Sequence, residues 1–180
     1  PVRVSNFLIN GSEGIAVGMT TSTPPHNLGE IINAEKLLME FPNATTADLL
    51  DIIEGPDFPT GGIVTNKDEL LSIYETGRGK IRIRGKAEIV RGKRKSDRDK
   101  IVITEIPYTM VGANIGKFLS DVAALAESRK LPDIVDISNQ SSKEGIRIEI
   151  ELKKGADAER ILAGIYKKTK LEDTFGVNML

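Results

Sequence analysis

The spacing of apolar residues changes period along this chain, and the changes mark its elements. The run from Val2 to Ile9 is strand-like, and VSNFLI and IAVGMT read as two strands joined through Asn10-Gly11, a favoured hairpin dipeptide. Pro24-Pro25 ends the hairpin. Asn27 is then placed to cap a helix, with Glu30 three residues on to bond back, and Leu28, Ile31, Ile32, Leu37 and Leu38 share its apolar face. Thr45 with Asp48 and Asn66 with Glu69 repeat the capping pattern, which predicts short helices over about 46–53 and 67–75. Gly55-Pro56 and Phe58-Pro59 mark the turn between them, and GGIVT within it reads as a short strand.

After Gly77 helical spacing gives way to alternation. Ile81, Ile83 and, further on, Ile89 face one side of a strand, while Lys80, Arg82, Arg84 and Lys86 face the other. RGKRKSDRD reads as a solvated loop, and KIVITEIP returns as a second strand. Ile115, Phe118, Leu119, Val122 and Leu125 recur at helical spacing. DIVDIS and GIRIEIELK are two more strands, the second with Ile146, Ile148, Ile150 and Leu152 on one face, and a last helix covers about 157–168. The order strand, strand, helix, strand, strand, helix predicts an α+β fold, a largely antiparallel sheet with helices packed on it, preceded by an N-terminal β-hairpin. The expected organisation is a hairpin over 1–27 and an α+β body over 28–180, forming one structural domain.

Composition narrows the class. A chain of 180 residues with 39% apolar and 28% charged residues has a globular composition and can build a core. Its apolar runs fall far short of a bilayer span, so no membrane partner is expected. There is no leader pattern, and the absence of cysteine excludes disulfides and thiolate-bound metals and fits a reducing, cytoplasmic setting. Opening on Pro1 inside a strand-like run, the sequence reads as a piece of a longer polypeptide.

The net charge of −1 conceals a strong asymmetry. Residues 77–100 hold eleven Lys or Arg against three acids, a balance of +8 that leaves −9 for the other 156 residues. Such a segment points to a polyanion partner. Alternate strand residues lie about 6.6 Å apart, close to the spacing of phosphates along one nucleic-acid strand. Lys80, Arg82, Arg84 and Lys86, with Arg78 before them and Arg91, Lys93, Arg94 and Lys95 beyond, are therefore the candidate phosphate contacts. Four such contacts imply a slope of log K against log salt of about −3.6. No aromatic residue is interleaved, so contact with phosphates and not with base identity is expected. A solvated outer face is the competing reading of the same run.

Other sites are weaker. GSEGIAVGMT lacks the lysine of a phosphate-binding loop, and the dinucleotide pattern GxGxxG is absent. Ile15, between Gly14, Ala16 and Gly18, is open to two readings: a buried hairpin residue, or a wedge of the kind inserted between base steps by proteins that bend duplex DNA. His26, the only histidine, reads as structural; no zinc set accompanies it. Tyr74, Tyr108 and Tyr166 have no basic partner that would mark a nucleophile, and no catalytic or metal constellation is visible.

Taken together, NGSEGIAVGMTTSTPPHNL, EGPDFPTGG, YETGRGKIRIRGKAEI, ITEIPY and FGVNML resemble, in order and over essentially the whole chain, the A subunit of bacterial type IIA DNA topoisomerases, the family of DNA gyrase and topoisomerase IV. The resemblance implies the tower domain, beginning after the winged helix and ending where the coiled coil starts. It implies that Ile15 intercalates into the gate DNA and that the Lys80–Lys86 face supports the bent duplex; the loop KRKSDRD, residues 93–99, matches no motif of the family. It further implies an ATP-dependent enzyme that cuts, passes and reseals double-stranded DNA, built as an A-subunit homodimer with a B subunit that binds magnesium and ATP. The family's nucleophilic tyrosine would lie before Pro1, so this segment would be inactive alone and would hold no cofactor. A stand-alone nucleic-acid-binding module and a domain docking an acidic protein are the alternatives.

Overall fold

Nearly every element follows from where the chain can bury an apolar stripe and where glycine lets it turn. The computed structural model describes residues 3–180, so Pro1 and Val2, at the start of the expected first strand, lie outside the described residues. The rest of that segment is not a strand. Asn6–Asn10 form a short helix, α1, which ends at Gly11 with φ +71°. Asn10-Gly11 thus terminates a helix instead of turning a hairpin. The hairpin comes next: β1 (Ser12–Ala16) pairs antiparallel with β2 (Met19–Thr23), in register from Ser12↔Thr23 to Ala16↔Met19. Its turn is Val17-Gly18, with Gly18 at φ +76° supplying the conformation other residues avoid.

α2 (Leu28–Glu40) starts at Asn27, whose side chain accepts from the Glu30 N–H at 3.2 Å. The reciprocal bond from Glu30 to the cap is not made; its carboxylate accepts from the Glu54 N–H at 3.5 Å. Ile31 and Ala34 are its buried residues, whereas Leu28 and Leu38, expected on the buried face, are exposed. α3 (Thr46–Leu50) carries a complete Thr45–Asp48 capping box. β3 (Ile63–Val64) precedes a 3-10 turn, Lys67–Glu69, and α4 (Leu70–Thr76). Asn66 caps nothing. Buried, it spans to the next strand, donating to the Lys80 carbonyl at 2.8 Å and accepting from the Arg82 N–H at 2.8 Å.

The basic strand is two strands. β4 (Arg78–Arg84) and β5 (Lys86–Val90) lie in different sheets, separated by buried Gly85. The Gly85 N–H donates to the Leu171 carbonyl at 2.7 Å, and a Cβ there would lie 2.6 Å from Leu171 Cδ1, so the chain breaks where no side chain fits. β6 (Lys100–Glu105), α5 (Ala113–Glu127), β7 (Ile134–Asn139), β8 (Ile148–Leu152) and α6 (Ala158–Lys168) follow as expected. The chain then adds β9 (Glu172–Asn178), a strand that the sequence pattern did not predict. The result is α+β, with two sheets, not one, ordered β1-β2-β9-β4-β3 and β5-β6-β8-β7.

The chain divides into two compact units. The first comprises residues up to 59, 64–82 and 174–180, and buries Ile31, Phe58, Leu70, Ile73, Ile81, Phe175 and Val177. The second comprises 60–63 and 83–173. In it β6 sits centrally, pairing Ile101 with Ile89 on one side and Ile150 on the other. Ile101, Ile103, Ile148, Ile150 and Leu152 form one apolar face with Phe118 and Val122 of α5 and Ile161 and Ile165 of α6. Each such burial contributes about 1.5–3 kcal/mol.

Candidate nucleic-acid interface

In the first unit, the β1–β2 hairpin ends in three apolar side chains. Ile15 is 92% exposed, Val17 105% and Met19 55%. The reading of Ile15 as a buried hairpin residue fails. A two-residue turn forces this outcome: Ala16 and Met19 pair across the ladder, Ile15 faces Thr20, and no second layer reaches the tip. The hairpin is held at its root. The His26 N–H donates to the Ile9 carbonyl at 3.3 Å, and Asn178 of β9 pairs with Ser22 and donates from Nδ2 to the Thr20 carbonyl at 2.5 Å. Sequence reasoning missed Val17, Met19 and Asn178. The alternation of Ile15 and Val17 into Gly18 was the available signal for the first, and the i, i+2 spacing of Phe175 and Val177 for the strand that carries Asn178.

His26 is buried, and its role is structural. Nδ1 donates to the Leu8 carbonyl at 2.9 Å, which leaves Nε2 to accept from the Tyr74 hydroxyl at 2.5 Å. Desolvation lowers the histidine pKa, opposed by hydrogen bonds to the Leu8 and Pro24 carbonyls and by the charge of Asp57. Burial, with the Glu30 charge, raises the Tyr74 hydroxyl well above the usual phenol range. Tyr166 donates to the Gly85 carbonyl at 2.6 Å and its ring lies under the Arg84 guanidinium, 4.8 Å from the centroid. Neither tyrosine is poised as a nucleophile.

The cations divide by partner. Arg78, Lys80 and Arg82 project from β4 in the first unit while Ile81 between them is buried, as alternation requires. Among the described residues Arg78 and Lys80 have no carboxylate within ion-pair distance; Arg82 lies 3.3 Å from Glu69. In the second unit Arg84 pairs with Glu172 at 2.8 Å, and Lys86 lies 4.0 Å from Glu105, its ladder partner. Residues 78–86 contain no carboxylate in sequence, yet tertiary packing brings Glu69, Glu105 and Glu172 beside their cations. Surface pairs of this kind are worth about 0–1 kcal/mol, so a phosphate can displace the carboxylate at little cost.

The loop 91–99 is folded on its own aspartates. Arg91 pairs with Asp99 at 2.8 Å and Glu159 at 2.6 Å, and both carboxylates push its pKa up. Asp99 accepts from the Gly92 N–H at 2.9 Å, which with Arg91 holds it below the usual carboxylate range. Asp97 accepts from the Arg94 N–H at 3.0 Å. Lys93, Arg94 and Lys95 are left exposed with no ion-pair partner among the described residues. Among the described residues no three of His, Asp and Glu come together to hold a metal ion. Nor is any described helix long and apolar enough to cross a membrane.

The described residues thus present an apolar-tipped hairpin and two sets of surface cations on an α+β frame. The family model for the A subunit of DNA gyrase and topoisomerase IV matches residues 1–180, and the chain belongs to that family. It is 47% identical over its whole length to the DNA gyrase A subunit of Clostridium acetobutylicum, 44% to that of Chlamydia pneumoniae and 46% to that of Thermotoga maritima. The chain spans 21–22% of the length of these relatives.

Proposed function

We propose that this chain is the DNA-binding and DNA-bending part of a type II topoisomerase A subunit, with Ile15 as its wedge. The observation that carries the reading is the exposure of Ile15, 92%, on a two-stranded arm whose root is tied by Asn178 and the His26 backbone. Isolated exposed isoleucines are ordinary; three apolar side chains gathered on a projecting turn are not. Partial unstacking of a base step costs a few kcal/mol, and burying an Ile between bases returns about 1.5–3 kcal/mol. The wedge therefore comes close to balance by itself, and the kink is sustained by phosphate contacts. Arg78, Lys80 and Arg82 supply these in the first unit, and Arg84, Lys86, Lys93, Arg94 and Lys95 in the second. Arg91, also a candidate phosphate contact from the sequence, is engaged by Asp99 and Glu159 and serves chiefly to hold the loop.

In this reading the double-strand cleavage, passage and resealing belong to the whole enzyme, an A-subunit homodimer acting on double-stranded DNA with a B subunit. The nucleophile lies outside this segment, and magnesium and ATP are bound by the B subunit. The test is Ile15→Ala in the full-length enzyme, with end-labelled duplex read by energy transfer. Affinity for short linear DNA and its salt slope are expected to persist while bending and cleavage fall. Undiminished bending would refute the wedge.

A further inference from the structure

The acid that offsets the basic segment is concentrated, and it surrounds an apolar groove. Residues 28–57 hold seven carboxylates, Glu30, Glu35, Glu40, Asp48, Asp51, Glu54 and Asp57, against the single cation Lys36. None of the described ion pairs uses any of the seven. Their hydrogen-bond donors are neutral: the Ser5 hydroxyl for Glu35, the Thr45 N–H at 2.9 Å for Asp48 and the Asn27 amide at 3.2 Å for Asp57. The excess charge is therefore presented to solvent.

Within this stretch, and wholly inside the first unit, lies a groove of about 580 Å³ between the end of α2 and α3. Leu37, Phe41, Ala44 and Ile52 line it with apolar surface, and Asp48 and Asp51 stand among them. Phe41 is 56% exposed there, and Met39, on the last turn of α2, is 82% exposed. Phe41 follows Leu37 by four residues, one turn on the same side of the helix end. The volume is that of a ligand-sized site, and an apolar floor with a charged rim is how proteins receive an amphipathic helix.

We infer that this groove docks a basic amphipathic helix of a protein partner. Charge complementarity selects the occupant. A nucleic acid is repelled by the unpaired carboxylates, and a second copy of this surface would bring two acidic rims together. A helix with leucine-like residues on one stripe and Lys or Arg beside it meets both the apolar floor and the carboxylates. Binding there also leaves Ile15 and the cations of β4 free, because none of them lines the groove.

The probe is a fluorescein-labelled 18-residue Leu/Lys amphipathic peptide, titrated into the full-length protein by anisotropy beside a Leu/Glu peptide of the same leucine pattern. The Leu/Lys peptide is expected to bind saturably and at least tenfold tighter than its acidic counterpart, with hydrogen-exchange protection over residues 37–52. Phe41→Ser and Asp51→Lys, both at exposed positions, should each weaken it at least tenfold and leave affinity for duplex DNA unchanged. Equal binding of the two peptides, binding of neither, indifference to both variants, or protection elsewhere would overturn the inference. So would self-association, or a cross-linked segment of the same polypeptide, mapped to Phe41.

Discussion

Ile15 and Ile81 show how far one residue type can differ in meaning. Both occur in strands with small or polar neighbours, yet Ile81 is fully buried and Ile15 stands in solvent. Truncating Ile15 should therefore change folding stability by less than about 0.5 kcal/mol in a denaturant melt, as surface substitutions do. Ile81→Ala should cost about 2–5 kcal/mol. The cations divide in the same manner. Lys80, without a partner, is expected to lower the salt slope by about 0.9 when changed to alanine, measured by titrating duplex DNA at several salt concentrations. Arg84 pairs with Glu172 and stacks on Tyr166, so Arg84→Ala should also destabilise the fold by about 1 kcal/mol. His26 carries a pH dependence. Burial lowers its folded pKa below the ordinary 6.5, so the unfolded chain binds the extra proton. Its stabilising contribution is complete above pH 6.5 and is lost as pH falls below that value. Because the chain has one histidine, the decline between pH 6.5 and 5 should flatten in His26→Gln, read by thermal melts across that range.

At the scale of elements, α5 and β8 were legible because each has an apolar stripe at a single period. Ile148, Ile150 and Leu152 alternate without interruption, and Phe118 and Val122 repeat one helical turn apart. The N-terminal segment was not legible. VSNFLI has too few residues to separate a strand from one helical turn, and two glycines competed for the hairpin. Gly11 sits where an added Cβ would lie 2.6 Å from the Thr23 carbonyl oxygen, while Gly18 has open space around it. Only the fold distinguishes them. Gly18→Val should strain the turn by about 1–2 kcal/mol, since a side chain at φ +76° is disfavoured, and should loosen the hairpin. Loss of amide-exchange protection in β1 and β2, with the sheet β5-β6-β8-β7 unaffected, is the expected signature. Ile15 was visible as a candidate because glycines flank it, but its exposure depends on the turn lying at Val17-Gly18. The carboxylates beside Arg82, Arg84 and Lys86 were invisible: Glu69, Glu105 and Glu172 are remote in sequence and arrive through tertiary packing.

For the whole molecule, the near-zero net charge conceals two strongly charged regions of opposite sign, the remaining residues carrying −3. Residues 77–100 carry +8 and residues 28–57 carry −6, so association with DNA should be steered by local and not total charge. On the proposed reading, one region binds a duplex while the other stays available for a cationic partner. In the proposed reading the wedge localises the distortion, opening one base step, while phosphate contacts hold the flanking DNA. The decisive measurement is base unstacking. With 2-aminopurine placed along a duplex bound by the full-length enzyme, fluorescence should rise at the steps beside the hairpin and stay quenched in the Ile15→Ala enzyme at equal occupancy. The same rise in both proteins would contradict the assignment of Ile15 as the residue that parts the bases.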